Sequence, residues 1–326
     1  MLKIDDIKLE IFVLTYNRAK YLDATLKSIV NQSYKKFNII VLDNNSTDET
    51  ELIVKKYQNL HDIKYIRNDL NIGVVGNFLK AKELASKEFA MIFHDDDIMH
   101  PEYVETALKL LEQNNDSVFL GAAMSFELEP DFEFQKNNAK AKILSQKDFA
   151  SLLYRGFPYH YASTVFRTKF LKKAKVEFKK YGKLSDRPVL INLLQYGKAI
   201  VLLEPYIKYR LHPEQDSQTK SSGPFLSEII ELNKLYKSIL GDSVFNKYGR
   251  SFLLANYIYI NQSFKELYQT KKLKTKIDYL NTFIKNEASS LKAILIGYFI
   301  EALPYRVYKI IKNVKKRKQK VNFIIL

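Results

Sequence analysis

The chain has 326 residues, of which 46% are hydrophobic, and its 22 Tyr and 21 Phe exclude a disordered protein and allow a sizeable core. It contains no cysteine, which excludes disulfides, thiolate zinc sites and a cysteine nucleophile. Its 52 basic and 36 acidic residues give a net charge of +16, and this excess indicates an anionic partner: a membrane surface, nucleic acid or a phosphorylated substrate.

The first half of the chain alternates predicted strands with predicted helices. Apolar runs rich in branched and aromatic residues predict strands at residues 9–14, 37–42, 63–66, 89–93 and 117–125. Helical spacing of apolar residues predicts helices that include residues 22–30, 74–85 and 101–114, and Ser46 with Glu49 predicts a capping box for a further helix. This alternation predicts an α/β fold in which right-handed helical crossovers join parallel strands.

The second half has a mixed pattern. Residues 127–142 are polar and predict a loop able to cover the site. They are followed by a predicted helix at 147–154, a strand at 162–166, a helix after Ser185 to Pro188, and two extended pieces at 199–203 and 206–210. Beyond Gly223 and Pro224 the pattern is helical. We therefore expect one domain at residues 1–222 and a helical C-terminal region at 223–326.

Three successive carboxylates, Asp95, Asp96 and Asp97, follow the strand predicted at residues 89–93. In an open α/β sheet, ligands bind beyond the carboxyl ends of the strands, where these side chains are expected. Like charges at this spacing need a cation or solvent, and Mg²⁺ or Mn²⁺ commonly shares its shell between carboxylates and a substrate phosphate. The triplet therefore indicates a metal–diphosphate site, and a solvated acidic entry to the next helix is the alternative.

Asp43 ends the second predicted strand and is expected at the same edge of the sheet. A carboxylate in that place can accept hydrogen bonds from a ribose hydroxyl or a base N–H. There is no G-x-G-x-x-G after the first strand and no Walker loop, which disfavours nicotinamide chemistry and P-loop hydrolysis. A nucleotide whose diphosphate is neutralised by a metal fits this pattern, and a polar turn at residues 43–46 is the other interpretation.

Four motifs, in this order, resemble the inverting family 2 glycosyltransferases of the GT-A fold. They are residues 13–18, residues 40–48, Asn71 to Gly73 with Asn77, and the acidic triplet with Pro101. Each motif is weak alone, but together they are specific, and the likeness covers about the first 215 residues. The resemblance implies a Rossmann-like mixed sheet flanked by helices, of the nucleotide-diphospho-sugar transferase type. It also implies inverting transfer of a sugar from a nucleotide-diphosphate donor, usually linked to UDP.

The resemblance further implies roles for single residues. The nucleoside and donor pocket would involve Thr15, Tyr16, Asn17, Arg18, Asp43, Asn45, Asn71, Gly73 and Asn77. The family's common Asp-x-Asp-Asp run aligns with residues 94–97. Asp96 would then be the direct ligand of Mn²⁺ or Mg²⁺, with Asp95 near the ribose or metal and Asp97 in support. The first Asp of that run is His94 in this chain, and a packed histidine at a strand end is the simpler role for it.

Asp186 is the catalytic base that the resemblance implies, because it stands where the family carries an acidic pair ahead of a helix. Inverting transfer needs a base for the proton of the acceptor hydroxyl. Only one member of the pair is present, as Ser185-Asp186, and an N-cap of the following helix is the alternative role. Residues 209–212 resemble the family's closing segment, in which His212 would reach the metal or the diphosphate and Arg210 would counter the phosphate charge.

The end of the chain pairs apolar with basic residues. Residues 293–303 are largely apolar, and after Glu301 the chain has eight basic residues, the last at Lys320, and no acidic one. This segment predicts peripheral contact with a membrane surface, and a solvated basic tail is the alternative. No secretory signal is expected at residues 1–10, and no apolar run approaches the roughly 20 residues of a spanning helix. We expect a cytoplasmic protein at the inner face of a bacterial membrane, where enzymes of the family often extend glycan or lipid-linked acceptors.

Two other functions are compatible with parts of the pattern. A sugar-nucleotide pyrophosphorylase would use similar metal chemistry, but residues 15–18 lack the Gly-rich, Arg-containing loop that it should carry after the first strand. A nucleic-acid-binding protein would explain the positive charge. It predicts basic and aromatic residues interleaved over a groove, whereas the basic excess is heaviest in the tail. We therefore expect no nucleic-acid partner.

Overall fold

A nine-stranded mixed sheet forms the centre of the computed structural model, which describes residues 7–127, 134, 139–212, 214 and 226–255. Its first four strands are parallel and lie in the order β3-β2-β1-β4. They are β1 (Leu9–Thr15), β2 (Phe37–Asp43), β3 (Ile63–Arg67) and β4 (Phe89–His94). The register pairs Thr15 with Asp43 and Leu14 with His94. The predicted parallel sheet is confirmed for these strands, and so is the expectation that Asp43 and the acidic triplet share one edge.

The remaining strands make the sheet mixed. They are β5 (Ile98–Met99), β6 (Ser117–Glu127), β7 (Ala141–Leu144), β8 (Val165–Arg167) and β9 (Lys198–Arg210). The order continues β4-β8-β6-β9-β5, and β7 pairs with β9. β8 is antiparallel to β4 and to β6, β9 is parallel to β6, and β5 and β7 are antiparallel to β9.

Helices cover both faces of the sheet. They are α1 (Ala19–Val30), α2 (Thr50–Gln58), α3 (Gly73–Leu84), α4 (Tyr103–Gln113), α5 (Gln146–Tyr154), α6 (Thr168–Leu171), α7 (Phe178–Tyr181), α8 (Asp186–Leu193) and α9 (Leu226–Ala255). α9 is kinked at Gly241, where φ is 72°. Along β1, Ile11 and Val13 belong to one apolar cluster and Phe12 to the other. This burial on both sides explains why the parallel strands are almost continuously apolar.

α9 packs on the same apolar cluster as the sheet. Tyr236 and Phe252 of α9 surround Tyr154 of α5, with ring centroids 5.0 Å and 4.9 Å away. Tyr236 and Phe252 are both almost fully buried. The part of the chain after residue 226 that the structure describes therefore contributes to the core.

Several local predictions are wrong. The extended pieces at 199–203 and 206–210 form one strand, β9, whose register against β6 is irregular near Pro205. Residues 161–163 form a 3₁₀ turn, so β8 begins only at Val165. The capping box does not form, because α2 begins at Thr50 and the Ser46 hydroxyl donates to Asp43 Oδ1 at 2.5 Å. The short strands β5 and β7 were not predicted.

Three expectations fall wholly or mainly outside the described residues: the boundary near residue 222, the loop at 127–142 and the basic tail beyond residue 293. Among the residues that the structure describes, no helix has both the length and the apolar character needed to cross a bilayer.

Gly121 of β6 gives a test of the packing beneath the site. A Cβ added at Gly121 would collide with the phenol oxygen of Tyr159, whose ring packs edge-on against Phe149. We expect Gly121→Ala to lower the free energy of unfolding by about 1–3 kcal/mol, because a packed core yields only by straining its side chains. Urea unfolding measures this loss.

Gly249→Ala is the matched control for this substitution. A Cβ at Gly249 would lie 3.4 Å from the hydroxyl of Tyr154, which is an ordinary contact, and the residue is within a helix. Its stability should be unchanged or slightly raised, since alanine favours helix. Equal stability of Gly121→Ala and wild type would mean that Tyr159 moves aside without cost.

Candidate active site

The loops that follow β1 and β2 are joined by hydrogen bonds at the carboxyl edge of the sheet. The backbone N–H of Asn17 donates to Ser46 Oγ at 2.9 Å, and the N–H of Thr47 donates to Asn17 Oδ1 at 2.7 Å. Asn17 and Asn45 have φ values of 51° and 70°, a conformation that Asn tolerates better than most residues. The segment Thr15–Arg18 is therefore held against the turn that follows Asp43.

Asp43 lies fully buried within this turn. Its Oδ1 accepts hydrogen bonds from the Ser46 N–H at 2.9 Å and from the Ser46 hydroxyl, and its Oδ2 accepts one from the Tyr65 hydroxyl at 2.6 Å. A carboxylate oxygen has room for about two such bonds. Asp43 thus shapes the turn. Its Oδ1 accepts two of these hydrogen bonds, and its Oδ2 accepts one.

An amide network extends from this turn to α3. Asn44 Nδ2 donates to Asn71 Oδ1 at 2.7 Å, and the same Asn71 oxygen accepts from the Gly73 N–H at 2.8 Å. Asn77 is buried and donates to the Leu42 carbonyl at 3.0 Å, while its Oδ1 accepts from Asn68 at 3.2 Å. This network places Asn71, Gly73 and Asn77 beside β2. The hydrogen bonds of the Asn77 side chain described above are to other groups of the protein.

Asp95 and Asp96 share one arginine. Arg18 Nη1 donates to Asp95 Oδ1 at 3.1 Å and to Asp96 Oδ2 at 2.8 Å, and the Tyr16 N–H lies 3.4 Å from Asp95 Oδ2. Burial and the neighbouring Asp96 charge raise the pKa of Asp95 to about 7, although Arg18 opposes this. His212 Nε2 lies 3.1 Å from the same Asp96 Oδ2, and its ring stacks on Tyr21.

The Asp97 carboxylate faces different histidines. Its Oδ2 lies 3.1 Å from His160 Nε2 and 3.5 Å from His94 Nδ1. Burial raises the pKa of Asp97, but the charge of His160 lowers it more, and the net pKa is well below the usual range. Burial lowers the pKa of His94, but the Asp97 carboxylate outweighs this effect and raises it to about 9. Neighbouring carboxylates of the triplet therefore face different histidines: Asp96 faces His212, and Asp97 faces His94 and His160.

Arg210 and Thr25 hold the backbone of the triplet. Arg210 Nε donates to the Asp96 carbonyl, and Arg210 Nη2 donates to Thr25 Oγ1 at 2.8 Å. The Thr25 hydroxyl in turn lies 2.7 Å and 3.0 Å from the carbonyl oxygens of Asp95 and Asp97. These contacts fix the turn that carries the three carboxylates, so Arg210 has a structural contribution at the site.

Asp186 is the first residue of α8 and is partly exposed. The N-cap is Ser185, and it makes no side-chain cap hydrogen bond. The N-cap role that was the alternative for Asp186 is therefore wrong. Burial raises the pKa of Asp186, and the charges of Arg187, His94 and His160 oppose the rise. A carboxylate with a raised pKa, close to other ionisable groups, is suited to proton transfer.

The donor atoms around Asp96 fit a divalent cation. Two cis ligands that each lie about 2.1 Å from an octahedral ion are about 3 Å apart. Asp96 Oδ2 and His212 Nε2 have this separation, at 3.1 Å, and both side chains are buried. Arg18 Nη1 also lies 2.8 Å from this Asp96 oxygen and neutralises its charge. A His–Asp–His cluster is also present at His94, Asp97 and His160.

Most of the predicted donor-site and metal-site residues come together, but Asp97 does not join them. Residues 15–18, Asp43, Asp95, Asp96, Arg210 and His212 lie around the ends of β1, β2 and β4. Asp97 faces away toward His94 and His160. Sequence reasoning missed His160, Thr25 and Ser46. Nothing in the local pattern marked His160, while Ser46 carried a signal that was interpreted as a helix cap.

Comparisons with known proteins find a family model and several similar glycosyltransferases. The family model for Glycosyl transferase family 2 matches residues 10–174, about half of the chain. One similar protein is the β-1,3-glucosyltransferase of Campylobacter jejuni that acts on GalNAc(5)-diNAcBac-PP-undecaprenol. The two sequences are 28% identical, and the match covers 83% of this chain and 90% of the Campylobacter jejuni chain. An uncharacterized glycosyltransferase of Methanocaldococcus jannaschii is 30% identical over 66% of this chain and 74% of its own.

The fold also has a counterpart among solved structures. The crystal structure of Staphylococcus aureus TarS with UDP-GlcNAc superposes with a TM-score of 0.61, covers 92% of this chain and 82% of its own, and is 20% identical. This likeness confirms the GT-A architecture that the motifs implied. The chain therefore belongs to glycosyl transferase family 2, and it is a glycosyltransferase with a GT-A fold.

Proposed function

We propose that this glycosyltransferase is a metal-dependent, inverting enzyme that transfers a sugar from a UDP-sugar to a hydroxyl of a glycan or lipid-linked acceptor. One observation carries the proposal. Asp95, Asp96 and His212 converge at the carboxyl edge of the sheet, beside the loop that holds Arg18. This edge is where nucleotides bind in open α/β sheets.

Different residues bind different parts of the donor. The segment 15–18 and the turn at Asp43 and Asn45 line the nucleoside side, and Asn71, Gly73 and Asn77 shape the adjacent wall. Asp95 faces the ribose, and Arg18 and Arg210 supply positive charge for the phosphates. Mn²⁺ or Mg²⁺, bound by Asp96 and His212, would neutralise the charge that develops on the leaving diphosphate.

Asp186 acts as the base of the reaction. It accepts the proton of the acceptor hydroxyl while that oxygen forms a bond to the anomeric carbon of the sugar. The bond between the anomeric carbon and the diphosphate oxygen breaks on the opposite face, so the configuration inverts and the nucleoside diphosphate leaves. The raised pKa of Asp186, caused mainly by burial, suits a base that must bind and release this proton.

Relatives support the kind of acceptor. The Campylobacter jejuni relative acts on an undecaprenol-diphosphate-linked glycan, and an Escherichia coli relative, 24% identical over 79% of this chain, transfers glucose from UDP-Glc to a diphosphoundecaprenol-linked sugar. We infer that this enzyme takes part in cell-surface polysaccharide synthesis at the cytoplasmic side of a bacterial membrane.

A donor screen tests the proposed function. UDP-Glc, UDP-GlcNAc, UDP-Gal and GDP-Man are each supplied with a synthetic lipid-diphosphate-linked sugar, with Mn²⁺ or with a chelator. We expect transfer from a UDP-sugar that requires the metal, with inversion detected by NMR of the product. Full turnover in chelator would exclude the metal, and a product of retained configuration would exclude the inverting reaction.

A described surface supports contact with an anionic membrane. The segment Lys169–Lys183 carries seven exposed lysines and one glutamate, Glu177. Phe178, within the same segment, is 43% exposed. Lysines near an anionic bilayer each contribute about 1 kcal/mol, and an exposed aromatic ring can enter the headgroup region. This surface adds to the basic tail that the sequence places after residue 301.

Charge reversal in this segment is expected to weaken membrane binding. Replacing Lys179 and Lys180 by glutamate removes at least about 2 kcal/mol, or roughly thirtyfold in affinity for vesicles that contain phosphatidylglycerol. Vesicle co-sedimentation measures the change. Lys55→Glu with Lys56→Glu, on α2, is the control and should bind as wild type does. Equal binding of the Lys179 and Lys180 variant would exclude this surface.

A further inference from the structure

We propose that His94, Asp97 and His160 form a second cation site, selective for a late first-row divalent ion such as Zn²⁺, and separate from the donor-site metal at Asp96 and His212. Nothing in the proposed transfer reaction requires this site. The inference rests on the geometry of three side chains and holds whether or not the proposed function is correct.

The three donor atoms have the spacing of metal ligands. They all lie within 4.8 Å of one another. Ligands about 2.0–2.1 Å from a tetrahedral ion are about 3.3 Å apart. Asp97 Oδ2 is 3.1 Å from His160 Nε2 and 3.5 Å from His94 Nδ1, which brackets this separation. The two imidazole nitrogens lie within 4.8 Å of each other and have to approach to reach this separation.

The Asp97 carboxylate supplies an independent indication of a ligand. It is fully buried, and neither of its oxygens accepts a hydrogen bond from the part of the chain that the structure describes. The imidazole nitrogens of His160 and His94 are its near polar neighbours, at 3.1 Å and 3.5 Å. A buried carboxylate requires compensating positive charge, and here either a protonated imidazole or a metal ion bound by all three side chains supplies it. Its orientation toward both imidazoles identifies the place for that cation.

The chemistry of the ligands distinguishes this site from the donor site. Two imidazoles and one carboxylate favour Zn²⁺ or Co²⁺ over Mg²⁺, which prefers oxygen ligands. The donor site has one imidazole, from His212, and its other ligands would be carboxylate and diphosphate oxygens. His94 and His160 supply the two nitrogen ligands that make this set nitrogen-rich. The partly exposed His94 ring gives the ion a path from solvent.

Co²⁺ binding to the full-length protein tests the proposal, because its visible absorption reports the ligand field. Excess Mg²⁺ is present throughout to occupy oxygen-rich sites. We expect wild type to bind one Co²⁺ that Zn²⁺ displaces, and His94→Ala and His160→Ala to weaken the affinity by at least about tenfold. His94 is 43% exposed, so His94→Ala is expected to fold, and circular dichroism checks this for both variants.

Two variants separate the site from other histidines. His61→Ala, an exposed position, should bind Co²⁺ as wild type does. His212→Ala should keep the Co²⁺ spectrum although it loses a donor-site ligand. A spectrum that disappears in His212→Ala and persists in His94→Ala would overturn the proposal. Absence of any Co²⁺ spectrum in wild type would do so as well, because the three residues would then form an ion pair only.

Discussion

Asp186→Asn is expected to reduce the rate of sugar transfer by about three orders of magnitude while leaving UDP binding close to that of wild type. A positioned base contributes typically about 10²–10⁴-fold, and the amide cannot accept the proton of the acceptor hydroxyl. Asp186 begins α8, and the Arg18 hydrogen bonds to Asp95 and Asp96, where the donor is proposed to bind, do not involve it. The measurement is kcat with UDP affinity determined separately by calorimetry.

The same variant should not be less stable. Burial raises the pKa of Asp186, so the folded state disfavours its ionised form. A carboxyl whose folded pKa is raised costs stability once the pH exceeds that value, and Asn removes this cost. We therefore expect an equal or higher Tm at neutral pH together with the loss of activity. This combination is typical of a functional group that lowers the stability of the folded state.

The pH dependence of wild type provides a second readout of Asp186. A base works only when it is deprotonated, so transfer should fall as the pH decreases through the raised pKa, at a higher pH than an ordinary aspartate would give. Asp62→Asn, at an exposed position, is the control and should match wild type in rate and profile. A rate within tenfold of wild type in Asp186→Asn would assign the base to another group.

Asp96→Asn is expected to abolish the stimulation of transfer by Mn²⁺ and to lower the transfer rate by about 10³-fold or more. A metal ion stabilises the charge that develops on a leaving diphosphate by several kcal/mol, and this stabilisation is lost with the ligand. Asp96 Oδ2 is the atom that His212 approaches at 3.1 Å, so its removal dismantles the proposed pair of ligands. Activity as a function of Mn²⁺ concentration measures the effect.

The fold should tolerate Asp96→Asn. Arg18 keeps its bond to Asp95 Oδ1 at 3.1 Å. The substitution also removes the charge that, after burial, contributes most to the raised pKa of Asp95. Asp69→Asn, at an exposed position, is the control and should keep the full response to Mn²⁺. An unchanged stimulation by Mn²⁺ in Asp96→Asn would show that the metal binds at another site. The site at His94, Asp97 and His160 would then be tested next.

Elements with strong periodicity were predicted well, and short ones were not. The four parallel strands are long apolar runs that both faces of the sheet bury, so their sequences alone mark them. β5 has two residues and β7 has four, mostly exposed, and neither carries such a pattern. The capping box at Ser46 failed because its hydroxyl donates to Asp43 and accepts from the Asn17 N–H, and the second of these bonds exists only once β1 and β2 are neighbours.

The sequence by itself determined the α/β class, the family motifs, and the edge at which Asp43 and Asp95 to Asp97 lie. The first two depend on local patterns, and the edge follows because parallel strands end at the same side of a sheet. Tertiary structure alone decided how the three carboxylates are shared. Asp96 meets His212 and Asp97 meets His160, which are 116 and 63 residues away along the chain. Successive residues beyond a strand point in different directions, so neighbouring aspartates reach different partners, and only the packing of distant loops brings those partners within bonding distance.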